Sequence, residues 1–174
     1  TLEKFRVFLD GEKPDPYENN KYIKKAAELF AKERSEDNLY RMFDALLGRM
    51  MEDGEAPAAM VDVNNVFGSV DIMGLSKNDT VTIEPQVRLR IDTVHRGDGV
   101  KWIPLYTDME ELNKQPTTNI SMNVPIYNIL KNGLEDDVEG IVINPFGLAL
   151  SMPKNILKIV VAKYEEIKEG KEDV

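Results

Sequence analysis

The residues best equipped for chemistry in this sequence fall into two short blocks. The first is Trp102-Ile103-Pro104-Leu105-Tyr106-Thr107, followed by the carboxylates Asp108, Glu110 and Glu111; the second is Asn144-Pro145-Phe146-Gly147. Asn144 offers amide donors and acceptors, and Gly147 lets a ligand approach the backbone, so this turn could border a pocket. A plain turn accounts for the same residues more simply: Asn bonding its own backbone, Pro presetting φ, Phe plugging the core and Gly taking an unusual φ. Trp102 and Tyr106 fall on one strand face with Pro104 between them, a pattern for a peptide-binding aromatic groove or, by preference, for packing. Asp108, Glu110 and Glu111 could pair for acid–base work. Thr107 with Glu110 three residues later spells a capping box, however, and this explains acids at a helix start.

Elsewhere the chemistry thins out. Glu135-Asp136-Asp137 with Glu139 supplies oxygen ligands for a hard cation, but the spacing is no EF-hand and a solvated acidic loop is the preferred reading. His95 can be grouped on paper with Asp92 or Asp98 and Ser69 or Ser76, yet no Gly-x-Ser-x-Gly elbow supports a triad. Arg96-Gly97-Asp98, Asn78-Asp79-Thr80 and Asn119-Ile120-Ser121 would carry meaning only in a secreted protein. The expectation is no catalytic residue, no metal and no cofactor. The binding candidates are Trp102, Pro104, Tyr106, Thr107, Asn144, Pro145, Phe146 and Gly147.

Composition narrows the classes further. Thirty-one acidic against 22 basic residues give a formal charge of -9, the wrong sign for a phosphate-backbone partner. The absence of cysteine rules out disulfides and thiolate chemistry, and a lone histidine rules out a His-rich metal site. No apolar run approaches the roughly 20 residues of a membrane span. No basic-then-apolar leader appears near Thr1, so a cytoplasmic protein is expected.

The elements that must position the two blocks are readable from periodicity. Lys4 to Leu9 suggests a short strand within an N-terminal strand and linker (1–19), ahead of the main domain (20–174). Tyr22, Ile23, Ala26, Ala27, Leu29 and Phe30 make a helical stripe from about Asn20. Ser35 then caps a second helix carrying Leu39, Met42, Phe43, Leu46, Leu47 and Met50, which Gly54 ends. Glu55-Ala56-Pro57 links to a strand over Ala58–Val63. Residues 64–80 are weakly patterned, and Val81 and Ile83 begin another strand. Alternation over Gln86–Val94, a Gly97–Gly99 reversal and the strand Val100–Tyr106 predict an antiparallel hairpin. A short helix Asp108–Leu112, a strand Ile120–Met122 and a Pro125-led helix closed by Gly133 follow. Ile141–Ile143 is a buried strand, Leu148–Leu150 another. A last helix starts at Pro153 with Ile156, Leu157, Val160, Tyr164 and Ile167 inward, its charged end from Lys168 fraying. The fold class expected is α+β, a mixed sheet with an antiparallel hairpin packed by amphipathic helices.

The two blocks, Trp102 to Leu112 and Gly140-Ile141-Val142-Ile143-Asn144-Pro145-Phe146-Gly147, followed by a Pro-led helix, resemble the N-terminal domain of the SseB family (enhanced serine sensitivity protein B). The resemblance is firmest over 102–164 and extends from about Ala26 to Lys163; Lys4–Leu9 has no counterpart in it, and 64–85 is more divergent. It implies a bacterial, cytosolic domain of this fold and supplies no catalytic residue and no cofactor. The function expected is a non-catalytic domain that binds a protein partner or associates with itself, with an apolar patch near Trp102–Thr107 or Leu39–Met50. The runner-up is a small-molecule binder or cryptic enzyme with its pocket beside Thr107 and Asn144–Gly147.

Overall fold

The computed structural model describes residues 14–63, 89–97, 99–116 and 120–170. The expected strands at Lys4–Leu9 and from Val81, along with Ser69, Ser76 and Asp98, lie outside those residues. The fold is α+β. Two helices open it, α1 (Lys21–Lys32) and α2 (Glu36–Met51). Strand β1 (Glu55–Asp62) follows, then β2 (Leu89–Ile91), β3 (Val94–Arg96) and β4 (Val100–Leu105). A one-turn helix α3 (Met109–Leu112), β5 (Ile120–Pro125), α4 (Ile126–Asn132), β6 (Gly140–Ile143), β7 (Leu150–Pro153) and the long α5 (Lys154–Gly170) complete it.

The first two helices form where the stripes place them. Ser35 accepts a hydrogen bond from the Asn38 amide at 3.2 Å, and Glu36 and Asp37 sit in the first turn of α2, where they favour the helix dipole. α2 ends at Met51, and Asp53 rather than a glycine takes the left-handed conformation beyond it (φ 55°). Gly54 follows with its amide on the Arg49 carbonyl at 2.7 Å.

The strands form two sheets, β2-β1-β5 and β3-β4-β6-β7. The first is antiparallel; the second is mixed, with β4 and β6 parallel (Ile103↔Ile141, Leu105↔Ile143). The expected hairpin is there, pairing Val94–Arg96 with Val100–Trp102. The strand expected over Gln86–Val94 is instead divided in its described part. Leu89–Ile91 pairs with β1, then Asp92 and Thr93 carry the chain across, and Val94 enters the other sheet. The Asp92 amide still bonds the Ala59 carbonyl at 2.8 Å, so the crossing is held at the last rung.

Other boundaries move for identifiable reasons. β1 begins at Glu55, so Pro57 lies within a strand rather than a linker. Among the described residues β1 pairs at that level with β5 alone (Pro57↔Asn123), β2 reaching no further than Met60; a residue without an N–H is tolerated where no ladder partner faces it. β5 runs on to Pro125, which caps α4 from the strand side. Leu148 and Ala149 belong to the turn, with Ala149 at φ 58°, and β7 starts at Leu150. Pro153 closes β7, and α5 starts at Lys154 and continues to Gly170.

One large core lies between the sheets and α1, α2, α4 and α5. β1 contributes Ala56, Ala58 and Met60, β4 contributes Ile103 and Leu105, and β6 contributes Ile141 and Ile143. From α5 come Leu157, Val160, Val161 and Tyr164. A small second cluster of Ala59, Tyr106 and Leu112 lies apart from it, as period-two alternation requires of the intervening residues. Gly140 is fixed by the β6–β7 contact: at φ 150° a side chain there is strained and would strike the Met152 carbonyl. Among the described residues no helix is long and apolar enough to cross a membrane.

Candidate functional site

The parallel pairing of β4 with β6 brings the ends of the two blocks together. Thr107 follows β4 and Asn144 follows β6, and each is about 1% exposed. The Thr107 amide donates to Asn144 Oδ1 at 3.0 Å, and Asn144 Nδ2 donates to Thr107 Oγ1 at 3.0 Å. The Asn144 amide bonds the Leu105 carbonyl at 2.9 Å, extending the ladder by one rung. Asn144 holds a left-handed conformation (φ 49°), which asparagine tolerates better than most residues. Its side chain therefore reaches across to the other block; it does not close on its own backbone. Its carbonyl accepts from the amides of both Gly147 and Ala149 at 2.9 Å, which folds the turn.

The network continues under the helices. Asn20, fully buried, donates through Nδ2 to the Thr107 carbonyl at 3.0 Å and to the Glu55 carbonyl at 2.9 Å. Arg49 Nε donates to Asn20 Oδ1 at 2.7 Å, and Arg49 also pairs with Glu52 at 2.8 Å. The large majority of buried polar groups are hydrogen-bonded, and this chain of contacts ties α1, α2 and β1 to the ends of β4 and β6. Sequence periodicity gives Asn20 and Arg49 no distinguishing mark, because their partners are remote along the chain.

The helix cap is one residue later than expected. Asp108, not Thr107, is the N-cap of α3, its Oδ1 accepting from the Glu111 amide at 2.9 Å. Thr107 is already committed to Asn144. Glu110 is exposed, whereas Glu111 is almost fully buried. Glu111 Oε1 meets Lys114 Nζ at 2.9 Å and Lys24 Nζ at 3.3 Å, and Lys24 also lies 3.5 Å from Asp108. Partial burial pulls the Lys24 pKa down, but Asp108 and Glu111 outweigh it and hold it above the ordinary value. Glu111 Oε2 is buried without a hydrogen-bond partner and abuts Gly147.

The remaining candidates separate. Tyr106 is fully buried beside Leu112 and Ala59, with its hydroxyl donating to Gln115 at 2.7 Å. Burial, reinforced by the Asp92 charge, pushes its pKa well above the usual tyrosine value. Pro104 is buried, and Trp102 is half-buried at the rim of a shallow depression with Arg96, Val100 and Ser151. With Tyr106 interior, the three do not line a common groove.

Phe146 does not plug the core. It is 43% exposed and, with Pro145, borders an open hollow of about 320 Å³ shared with His95, Arg96, Gln115 and Pro116. Gly147 shows no positive φ; its value lies in having no side chain, since a Cβ there would stand 2.7 Å from Glu111 Oε2. His95 is exposed on β3, and Arg96 donates to Ser151 Oγ across to β7. Among the described residues no group of three or more His, Asp or Glu side chains converges. No family model matches the chain, and no curated protein or solved structure does.

Proposed function

We propose that this is a non-catalytic SseB-like domain of the bacterial cytosol that works by binding a protein partner or a second copy of itself. The supporting observation is the Thr107–Asn144 clasp. Thr107 and Asn144 are buried and their polar groups are bonded to one another, so this pair holds the scaffold together and does not face a substrate. What the molecule presents outward includes apolar groups: Ile120, Met122, Phe146 and Leu148 are all more than a third exposed. Side chains of this kind mark interaction surfaces when they gather. None of these four lies within Trp102–Thr107, where Tyr106 and Thr107 are interior. Size-exclusion chromatography with light scattering, together with affinity capture, tests the reading; a strict monomer that captures no protein overturns it.

The hollow beside Pro145 and Phe146 supports a second reading, a small-molecule site. Its walls combine apolar Phe146 and Pro116 with the polar His95, Arg96 and Gln115, a mixture common in ligand pockets. A thermal-shift screen of amino acids, nucleotides and metals decides it, because a ligand selective for the native state raises the midpoint.

A further inference from the structure

β5 is the last strand of the first sheet: the order is β2-β1-β5, and among the described residues no strand lies beyond it. Ile120, Ser121, Met122 and Asn123 are exposed in succession, Ile120 at 38% and Met122 at 43%. Hydrogen bonding fixes which backbone groups point outward. β1 and β5 pair antiparallel with Glu55 opposite Pro125 and Met60 opposite Ile120, and in the same register the Ile126 amide bonds the Gly54 carbonyl at 2.9 Å. Hydrogen-bonded and non-hydrogen-bonded pairs alternate along such a ladder, so Ile120, Met122 and Val124 turn their backbone groups to β1. Ser121 and Asn123 turn theirs away from it. The far side of β1 agrees: the Asp92 amide bonds the Ala59 carbonyl at 2.8 Å, which sets the odd-numbered residues of β1 toward β2.

We infer that β5 is the seam of a symmetric dimer, in which a second copy of this chain adds its own β5 antiparallel about a two-fold axis at Met122. The inference rests on the interaction reading above and names its partner and surface. With the axis there, Ser121 lies opposite Asn123 of the second copy, and Asn123 opposite its Ser121. Each opposition exchanges both N–H···O=C bonds, so every outward backbone group of the two residues is paired. A register shifted toward the C-terminus would set Ser121 against Pro125, which has no N–H to give.

The side chains select the same partner. Ile120-Ser121-Met122-Asn123-Val124 keeps its alternation of apolar and polar residues when read in reverse. Across the axis Ile120 therefore meets Val124 of the second copy and Met122 meets its own counterpart, while Ser121 and Asn123 meet on the other face. A two-fold interface demands this self-complementarity. Exposed edges are commonly guarded by charged side chains or by a bulge that twists them away. β5 has neither: no charged residue lies between Ile120 and Pro125 although the chain carries a formal charge of -9, and its pairing with β1 runs unbroken from Glu55 to Met60.

The test is sedimentation of the full chain over about a hundredfold range of concentration, with amide exchange followed by NMR. Salt is held at about 0.15 M, where repulsion between two acidic chains is screened beyond about 8 Å. The expected result is a reversible monomer–dimer equilibrium in which exchange at Ser121 and Asn123 slows as concentration rises, while Met122, already bonded to β1, is unchanged. Ser121→Pro removes an outward N–H without touching the β1 ladder, and Met122→Lys sets two like charges face to face. Each should weaken dimerisation at least about tenfold. Met122→Cys, in a chain that has no other cysteine, should oxidise to a covalent dimer, since a non-hydrogen-bonded pair holds its Cα atoms about 4.5 Å apart. Asn123→Cys, whose two copies are offset across the axis, should not. Thermal melts establish that each variant is folded, and the exchange data test the seam in the unmodified chain. A monomer at every concentration, exchange at Ser121 and Asn123 that ignores concentration, undiminished dimerisation in both Ser121→Pro and Met122→Lys, or equal cross-linking of the two cysteine variants would each overturn the assignment. A dimer that forms without these signs, or a monomer that still captures another protein, leaves the interaction reading standing on a different surface; a monomer that captures nothing ends both.

Discussion

Gly147 and Glu111 are packed so closely that a methyl group at position 147 is admitted only if the Glu111 carboxylate shifts. A Cβ at position 147 would stand 2.7 Å from Glu111 Oε2, an oxygen that is buried and makes no hydrogen bond. Gly147→Ala should therefore cost about 1–3 kcal/mol, the usual penalty for overpacking. Most of that penalty should disappear in a Glu111→Ala background, because the obstructing carboxylate is gone. Urea denaturation of the four proteins in a double-mutant cycle gives the coupling; additive effects would mean that position 147 answers to something other than Glu111.

The clasp should behave as a unit. Thr107→Val removes the hydroxyl that Asn144 Nδ2 bonds, at an expected cost of about 1–2 kcal/mol. Asn144→Ala should cost more, about 2–4 kcal/mol, since it strands the buried Thr107 amide and leaves an alanine in the left-handed region. The two losses should fall short of additivity in the double variant, measured by chemical denaturation.

Removing Asn20 should be as damaging as a core truncation even though it lies at a helix start. Asn20→Ala deprives the buried Arg49 Nε and two backbone carbonyls of their partner. The expected loss is roughly 2–4 kcal/mol, the range for a broken buried polar network. Thermal unfolding against the exposed control Asn19→Ala reads it.

Phe146→Ser should leave stability within about 0.5 kcal/mol of wild type, as for surface substitutions generally. A core phenylalanine would cost several times more, so the same melt discriminates between the exposed position and the plug that the sequence pattern suggested.

Tyr106 makes stability fall at alkaline pH. Its folded pKa is raised by burial and by Asp92, so the folded state holds the phenol proton more tightly than the unfolded chain. The resulting contribution is fully present below the unfolded tyrosine pKa of about 10 and is lost as pH climbs from there towards the folded value. Tyr106→Phe should lower stability at neutral pH by about 1 kcal/mol through the lost Gln115 bond and flatten the alkaline decline. Tyrosinate absorbance should also lose its latest-titrating component.

How much of this was legible in the sequence depended on the distance to each residue's partner. α1 and α2 were readable because their determinants are local: a stripe at helical spacing and Ser35 bonding three residues ahead. The buried run Ile141–Ile143 was readable for a similar reason, since no polar residue interrupts it. Thr107 reads as a cap from sequence because its partner, Asn144, lies 37 residues away. Phe146 reads as a core plug because a large aromatic usually goes inside, while here the turn that Asn144 folds carries it outward. The division of the strand expected over Gln86–Val94 has no local marker either; alternation continues through Asp92 and Thr93 although the hydrogen-bonded neighbour changes from β1 to β4.

The span of the buried polar contacts also orders the assembly of the chain. Asn20 reaches Thr107 across 87 residues and Thr107 reaches Asn144 across 37, so neither bond can form until large loops have closed. The α1–α2 hairpin needs no such closure and is expected to gain protection early, whereas the parallel β4–β6 rung must wait for the chain to return through β5 and α4. Pulse-labelled amide exchange during refolding should find the Asn144 amide among the last to be shielded. A nascent chain halted before residue 140 would therefore emerge with Ile103 and Leu105 lacking their β6 neighbours, in the form most prone to adhere to its own kind.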